Sequence, residues 1–151
     1  MNNIEKRIYQ LAQEHEKKVR SKENEQYDIQ HSISKWVDIY ILINSMSYRE
    51  YNNHIAEVRM LIWGNTCGLC HLNEKYYEWN DEFYDGECKY CPLKLVTGLI
   101  CGDDKSLWRK INVAMQRPYS RLRINVFFHR RKLLKLIDKM IDNLWACYWE
   151  F

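Results

Sequence analysis

Two Cys-x-x-Cys pairs, Cys67-Gly68-Leu69-Cys70 and Cys88-Lys89-Tyr90-Cys91, stand seventeen residues apart. Each such turn sets two thiols on one side of a tight loop. Two of them facing each other offer a metal a tetrahedron of sulfurs, with Zn–S distances of about 2.3 Å. Four thiolates leave no open coordination position. The expected group is therefore one structural Zn2+ held by Cys67, Cys70, Cys88 and Cys91. Its binding free energy would become folding free energy for an otherwise loop-rich segment. Cys101, ten residues after Cys91, and His71, next to Cys70, are alternate ligands. Four cysteines also suit an iron–sulfur cluster. Cys147 lies on an aromatic flank and reads as a small buried hydrophobe.

Outside the cysteine segment the dominant pattern is helical. Ile4, Ile8, Leu11, His15 and Val19 recur at steps of three and four. Ile29, Ile33, Trp36, Tyr40 and Ile43 form a second stripe, widened by Val37, Ile39 and Ile41 into a helix central to the core. Ser47-Tyr48-Arg49-Glu50 fits a capping box opening a third helix, with Tyr51, Ile55, Val58 and Ile62 on one face and Gly64 as its stop. From Asn65 to Gly102 the helical period is lost. Asp103 or Asp104 is the expected N-cap of a short helix through Met115. Arg117-Pro118 breaks that helix, and Leu134, Ile137, Ile141, Leu144 and Tyr148 mark the last one. The expectation is a single, mainly α domain of about five helices, with a zinc-binding loop module inserted between the third and fourth. Its parts are N-terminal helices (1–64), a Cys metal module (65–102) and C-terminal helices (103–151). A short β-hairpin is expected beside the Cys turns.

No stretch approaches the roughly 18 apolar residues of a membrane span. The charged first residues, Met1 to Arg7, do not resemble a secretory leader. A cytoplasmic protein without membrane association is expected, in which cysteines serve metal rather than disulfides.

Charge is separated along the chain although the net value is only +3. Between the Cys pairs lie Glu74, Glu78, Asp81, Glu82, Asp85 and Glu87 against Lys75, interleaved with Tyr76, Tyr77, Trp79, Phe83 and Tyr84. From Lys105 to Lys139 the balance inverts, with Asp138 the single acid among many Lys and Arg. One reading makes both stretches solvated faces, or packs the acidic loop on the basic helix. A second makes the basic region, through Arg121, Arg131, Lys132, Lys135 and Lys139, a salt-sensitive phosphate-binding stripe for nucleic acid. A third makes Trp79, Asp81, Glu82, Phe83 and Tyr84 a partner-binding surface held rigid by the metal.

The sequence Cys67-Gly-Leu-Cys70, then Cys88-Lys-Tyr-Cys91-Pro92-Leu93, then Thr97-Gly98 and Cys101, resembles a group of small uncharacterised proteins encoded by phages and prophages. In that group a CxLC pair is followed by CxxCP, a Thr-Gly step and a further Cys. A helix carrying an aromatic follows, a place that Trp108 fills. The resemblance covers roughly residues 60 to 115. It implies a phage-type origin and a metal site, and no catalytic activity.

No phosphate-cradling Gly loop, HExxH or Ser-His-Asp order is present, and Pro92 follows its CxxC rather than preceding it as zinc deaminases require. The chain reads as a non-enzyme. The expected function is that of a phage-type zinc-binding interaction protein in the bacterial host cytoplasm. It would bind a host or phage protein and inhibit a host defence system. The alternative is a nucleic-acid-binding accessory or regulatory protein using the basic C-terminal region.

Overall fold

The computed structural model describes residues 2–19, 25–63, 67–84, 86–116 and 122–150. Among these residues it contains seven α-helices, one 3-10 turn and no strand. The helices are α1 (Asn3–Val19), α2 (Glu25–Ser45), α3 (Tyr48–Val58), α4 (Gly68–Trp79), α5 (Pro92–Thr97), α6 (Leu107–Gln116) and α7 (Arg123–Glu150), with the 3-10 turn Arg59–Ile62 after α3. None is long and apolar enough to cross a membrane.

The first three helices follow their local signals. In α1 the expected stripe is buried at Ile8, Leu11, His15 and Val19. Asn2 Oδ1 accepts the Glu5 N–H at 2.9 Å while Glu5 Oε2 accepts the Asn2 N–H at 2.8 Å, a reciprocal cap on its first turn. Ser47 and Glu50 close the expected capping box, with Glu50 N–H donating to Ser47 Oγ at 3.1 Å and Ser47 N–H to Glu50 Oε1 at 2.9 Å. Tyr51, Ile55 and Val58, with Ile62 of the 3-10 turn, bury one continuous face. Gly64, the expected stop, lies outside the described residues, as do Pro118 and the break expected there.

Two helices beyond the expected five lie in the cysteine segment, and they overturn the picture of an inserted loop module. α4 hides its period because one of its buried positions is polar: Leu69, Leu72, Asn73 and Tyr77 face inward. α5 is only six residues long, too short for periodicity to reveal. Its limits are set by Pro92 in the first turn and by Gly98 at φ 76, the left-handed stop that glycine adopts without a Cβ penalty. Both helices belong to the common core, in which Leu69, Leu72, Cys91 and Leu93 cluster with Ile29, Ile33, Ile137 and Leu144.

The architecture is organised about α2 and α7, which pack along each other. Helices α3, α5 and α6 flank α7, α4 lies on α2, and α1 covers α2 and α3. Along α7 the buried positions are Val126, Leu133, Ile137, Met140, Leu144 and Cys147. This stripe sits one residue before the expected Leu134 and Ile141, which are only partly buried, as is Tyr148. Both Leu133 and Leu134 are apolar, so the choice between them falls to the packing of neighbouring helices. Ser106, rather than Asp103 or Asp104, caps α6: its Oγ accepts the Arg109 N–H at 3.0 Å.

Candidate metal centre

Five of the six cysteines converge. Cys67 is the N-cap of α4 and Cys70 lies in its first turn. Cys91 is the N-cap of α5. Cys88 precedes it and Cys101 lies between α5 and α6. All five line one cavity of about 110 Å³, and every cysteine of the chain is a free thiol. Much of the remaining wall is apolar, built from Trp36, Ile62, Leu69, Leu93, Met140 and Leu144. Cys147 stands apart, buried in α7, where desolvation pushes its thiol up to about 11.

The frame around the thiols is braced at four points. Gly68 sets α4 directly on α2, with its Cα facing the backbone carbonyl of Asp28. Asn73, one turn along α4, is 1% exposed and spans the second Cys turn. Its Nδ2 donates to Glu87 O at 2.9 Å and its Oδ1 accepts the Tyr90 N–H at 2.7 Å. Ser106 Oγ donates to Cys101 O at 2.9 Å, and Trp108 Nε1 to Ile62 O at 2.8 Å, which holds the indole at the cavity wall.

Burial opposes ionisation of most of these thiols. Desolvation pushes Cys91 up to about 12, and desolvation first, then the neighbouring sulfurs, raises Cys88 and Cys101. Cys67 is the exception. A hydrogen bond with Cys70 holds its thiol well below the usual range, and the same bond raises Cys70, which keeps the proton. Neither N-cap cysteine makes a side-chain cap hydrogen bond of full geometry. The N–H groups of Leu69 and Cys70 nonetheless favour the Cys67 thiolate, and those of Leu93 and Lys94 the Cys91 thiolate. A metal bound here would require these thiols to give up their protons, so its affinity would fall as the pH drops.

Opposite the thiols, α2 presents an unexpected face. Asp28, His31, Ser32 and Lys35 are all buried at helical spacing, beside the apolar stripe read from the sequence. Asp28 Oδ2 pairs with Lys75 Nζ at 2.9 Å. His31 Nε2 shares a 2.9 Å hydrogen bond with His15 Nδ1, and His15 Nε2 one of 2.9 Å with Asp38 Oδ2. Desolvation first, then the charges of His15, Lys35 and Lys18, brings His31 down to about 3. Desolvation also lowers His15 against the raising effect of Asp38. Ser32 and Lys35 line the thiol cavity. Sequence reading missed these two and Asn73; the available signal was a lysine and a serine amid the apolar run of α2, and an asparagine one turn after Cys70.

The sulfurs surround the cavity without closing into a tetrahedron. Sulfurs ligating one zinc at Zn–S distances of about 2.3 Å lie roughly 3.8 Å apart, so binding would draw these inward. Among the described residues the one trio of metal-binding atoms mutually within 4.8 Å is elsewhere, at Glu5, His54 and Glu57 on the surface. There His54 is already engaged, with Nε2 2.9 Å from Asn2 Nδ2 and Nδ1 3.3 Å from Glu57. His71, the alternate ligand, is half-buried in α4 and is not among the residues lining the thiol cavity.

The loop after α4 leaves by a Schellman turn: Glu82 N–H donates to Tyr77 O at 2.9 Å and Asp81 N–H to Glu78 O at 3.1 Å. Asp81 occupies the left-handed position at φ 53, where glycine is usual. Glu82 is tied to Lys89 Nζ at 2.6 Å and to the Tyr90 hydroxyl. Trp79 is 58% and Phe83 90% exposed, while Tyr84 is partly exposed, rests edge-on against Tyr77 and lines the thiol cavity. Among the basic residues, Lys132 and Lys139 face α6 across recesses shared with Lys105, Arg109 and Lys110. Arg131 and Lys135 turn the other way, toward Tyr40 and Asn44 of α2. Arg121 lies outside the described residues.

No known family, curated protein or solved structure matches the chain.

Proposed function

We propose that this is a zinc-stapled interaction protein that binds another protein through the aromatic loop from Trp79 to Tyr84. The observation that carries the reading is Tyr84, which forms part of the thiol cavity wall while its neighbour Phe83 is 90% exposed. A metal drawn in by the cysteines would fix the base of that loop. Rigid, exposed aromatics are what a binding hot spot requires, since little side-chain entropy is lost on contact. The likeness of the cysteine frame to small phage-encoded proteins directs the search to host proteins, with a defence nuclease as the first target.

The test is capture from a bacterial lysate by the zinc-loaded protein, followed by titration of the captured protein in purified form. Phe83→Ala and Trp79→Ala should each weaken binding by about 2 kcal/mol, roughly thirtyfold. A partner held equally well by both variants sinks the loop as the interface.

A second reading has its own support: five cations, Lys105, Arg109, Lys110, Lys132 and Lys139, line adjoining recesses between α6 and α7. Such a groove suits a phosphate backbone. Binding of a nucleic acid there should fall steeply with salt and collapse in Lys132→Glu/Lys139→Glu.

A further inference from the structure

Lys35 is 1% exposed, which makes it one of the most deeply buried large side chains in the protein. Its Nζ lies 5.4 Å from the Trp36 ring centroid, and no carboxylate pairs with it among the described residues. The carboxylates of α2 are engaged elsewhere, Asp38 with His15, Asp28 with Lys75 and Glu25 with the Tyr76 hydroxyl. A buried ammonium without a counter-charge costs several kcal/mol, so a lysine in this position calls for an anion nearby. Ser32, one turn before Lys35 and 0% exposed, presents a second orphan: its Oγ has no hydrogen-bond partner. Both side chains line the cavity of the five cysteines.

The missing anion and the missing acceptor can be one object. Zinc bound by four thiolates carries two more negative charges than positive, whereas a set with three thiolates and one histidine carries only one. Thiolate sulfurs accept hydrogen bonds, and partners of this kind orient the ligands and tune affinity for the metal. We infer that the centre is a dianionic tetrathiolate formed by four of the five cysteines, with Lys35 as its counter-charge and Ser32 as a hydrogen-bond donor to sulfur. His71, outside the cavity wall, is not a ligand in this arrangement. The inference rests on the proposed metal and adds which side chains hold its sulfurs.

The experiment is a competition for zinc between the full-length protein and a chromophoric chelator, run on the parent, Lys35→Met, Ser32→Ala and His71→Ala. Cobalt-loaded samples report the ligand set through their tetrahedral d–d and sulfur charge-transfer bands. Lys35→Met should lose about tenfold or more in zinc affinity, within the range for groups that hold a metal's ligands in place. Its cobalt spectrum should keep the parent's shape, which a general loss of structure would not allow. Ser32→Ala should lose less, in the same direction, and His71→Ala should leave both affinity and charge-transfer intensity unchanged. Unchanged affinity in both Lys35→Met and Ser32→Ala overturns the inference. Should Lys35→Met fail to fold, Ser32→Ala decides alone. A weaker charge-transfer band in His71→Ala overturns the tetrathiolate. A parent that takes up neither zinc nor cobalt refutes the metal itself, a result distinct from tight binding that the variants share.

Discussion

A β-carbon on Gly68 would stand 2.2 Å from the carbonyl oxygen of Asp28 and 3.1 Å from Ser32 Oγ. The first contact is backbone against backbone, so no rotamer change relieves it. Gly68 therefore fixes the distance between α4 and α2, and with it the depth at which Cys67 and Cys70 enter the cavity. Gly68→Ala should force the two helices apart and cost about 3 kcal/mol or more, at the upper end of overpacking effects. Urea unfolding at saturating zinc measures this, and a loss below about 0.5 kcal/mol would contradict the close approach.

Asn73 tests the bracing of the second Cys turn. Asn73→Ala removes two hydrogen bonds and leaves Glu87 O and the Tyr90 N–H to find water at a half-buried position. The expected loss is about 2 kcal/mol of stability. Zinc affinity should fall as well, because Cys88 lies within the released segment and Cys91 directly follows it. Equal affinity with reduced stability would separate the brace from the metal site.

The buried histidines give the protein an acid-sensitive limb. His31 is held down to about 3, and His15 is lowered as well, both chiefly by desolvation. Above the ordinary histidine value of about 6.5, folded and unfolded chains both keep these rings neutral and the full stability is present. Below it the unfolded chain binds protons that the fold refuses, so stability falls as the pH drops from about 6.5 toward about 3. Lys18 and Lys35 deepen this cost, and Asp38 partly offsets it at His15. His31→Gln removes one titrating ring, and acid loss of metal is common to both proteins. The variant should therefore lose on the order of 1 kcal/mol less than the parent between pH 7 and 5. Parallel pH profiles would refute the assignment.

Cysteine replacements separate the cavity from the rest of the chain. Elemental analysis of the parent should give about one zinc per chain, and Cys67→Ser should abolish tight binding. Cys147→Ser should retain the metal while losing about 1 kcal/mol or more of stability, since its hydroxyl would sit in an apolar stripe. Metal loss in Cys147→Ser, with the fold intact, would place the centre elsewhere.

What the sequence discloses here depends on how local the cause is. The Ser47–Glu50 box needs only four consecutive residues, and the α1 stripe needs only its own period, so both were legible. The two Cys-x-x-Cys turns were legible as a pair to the extent that all four cysteines line one cavity, while their sulfurs do not close on one another. Helix α4 was not, since Asn73 at a buried position makes its inward face look like loop. Lys35 was hidden for the opposite reason. A lysine between Ile33 and Trp36 reads as solvent-facing, and only the arrival of α4 and the thiols from far along the chain turns it inward. The one-residue shift of the α7 stripe from Leu134 to Leu133 belongs to the same class: two leucines are equivalent to a pattern and unequal to a neighbour.

Tyr84 belongs at once to the wall of the thiol cavity and to the exposed loop. If the proposed metal shifts this ring on binding, a partner that grips the ring is coupled to the metal. Thermodynamic reciprocity then obliges the two affinities to change by the same factor. The metal content of the protein would become a record of whether its loop is occupied.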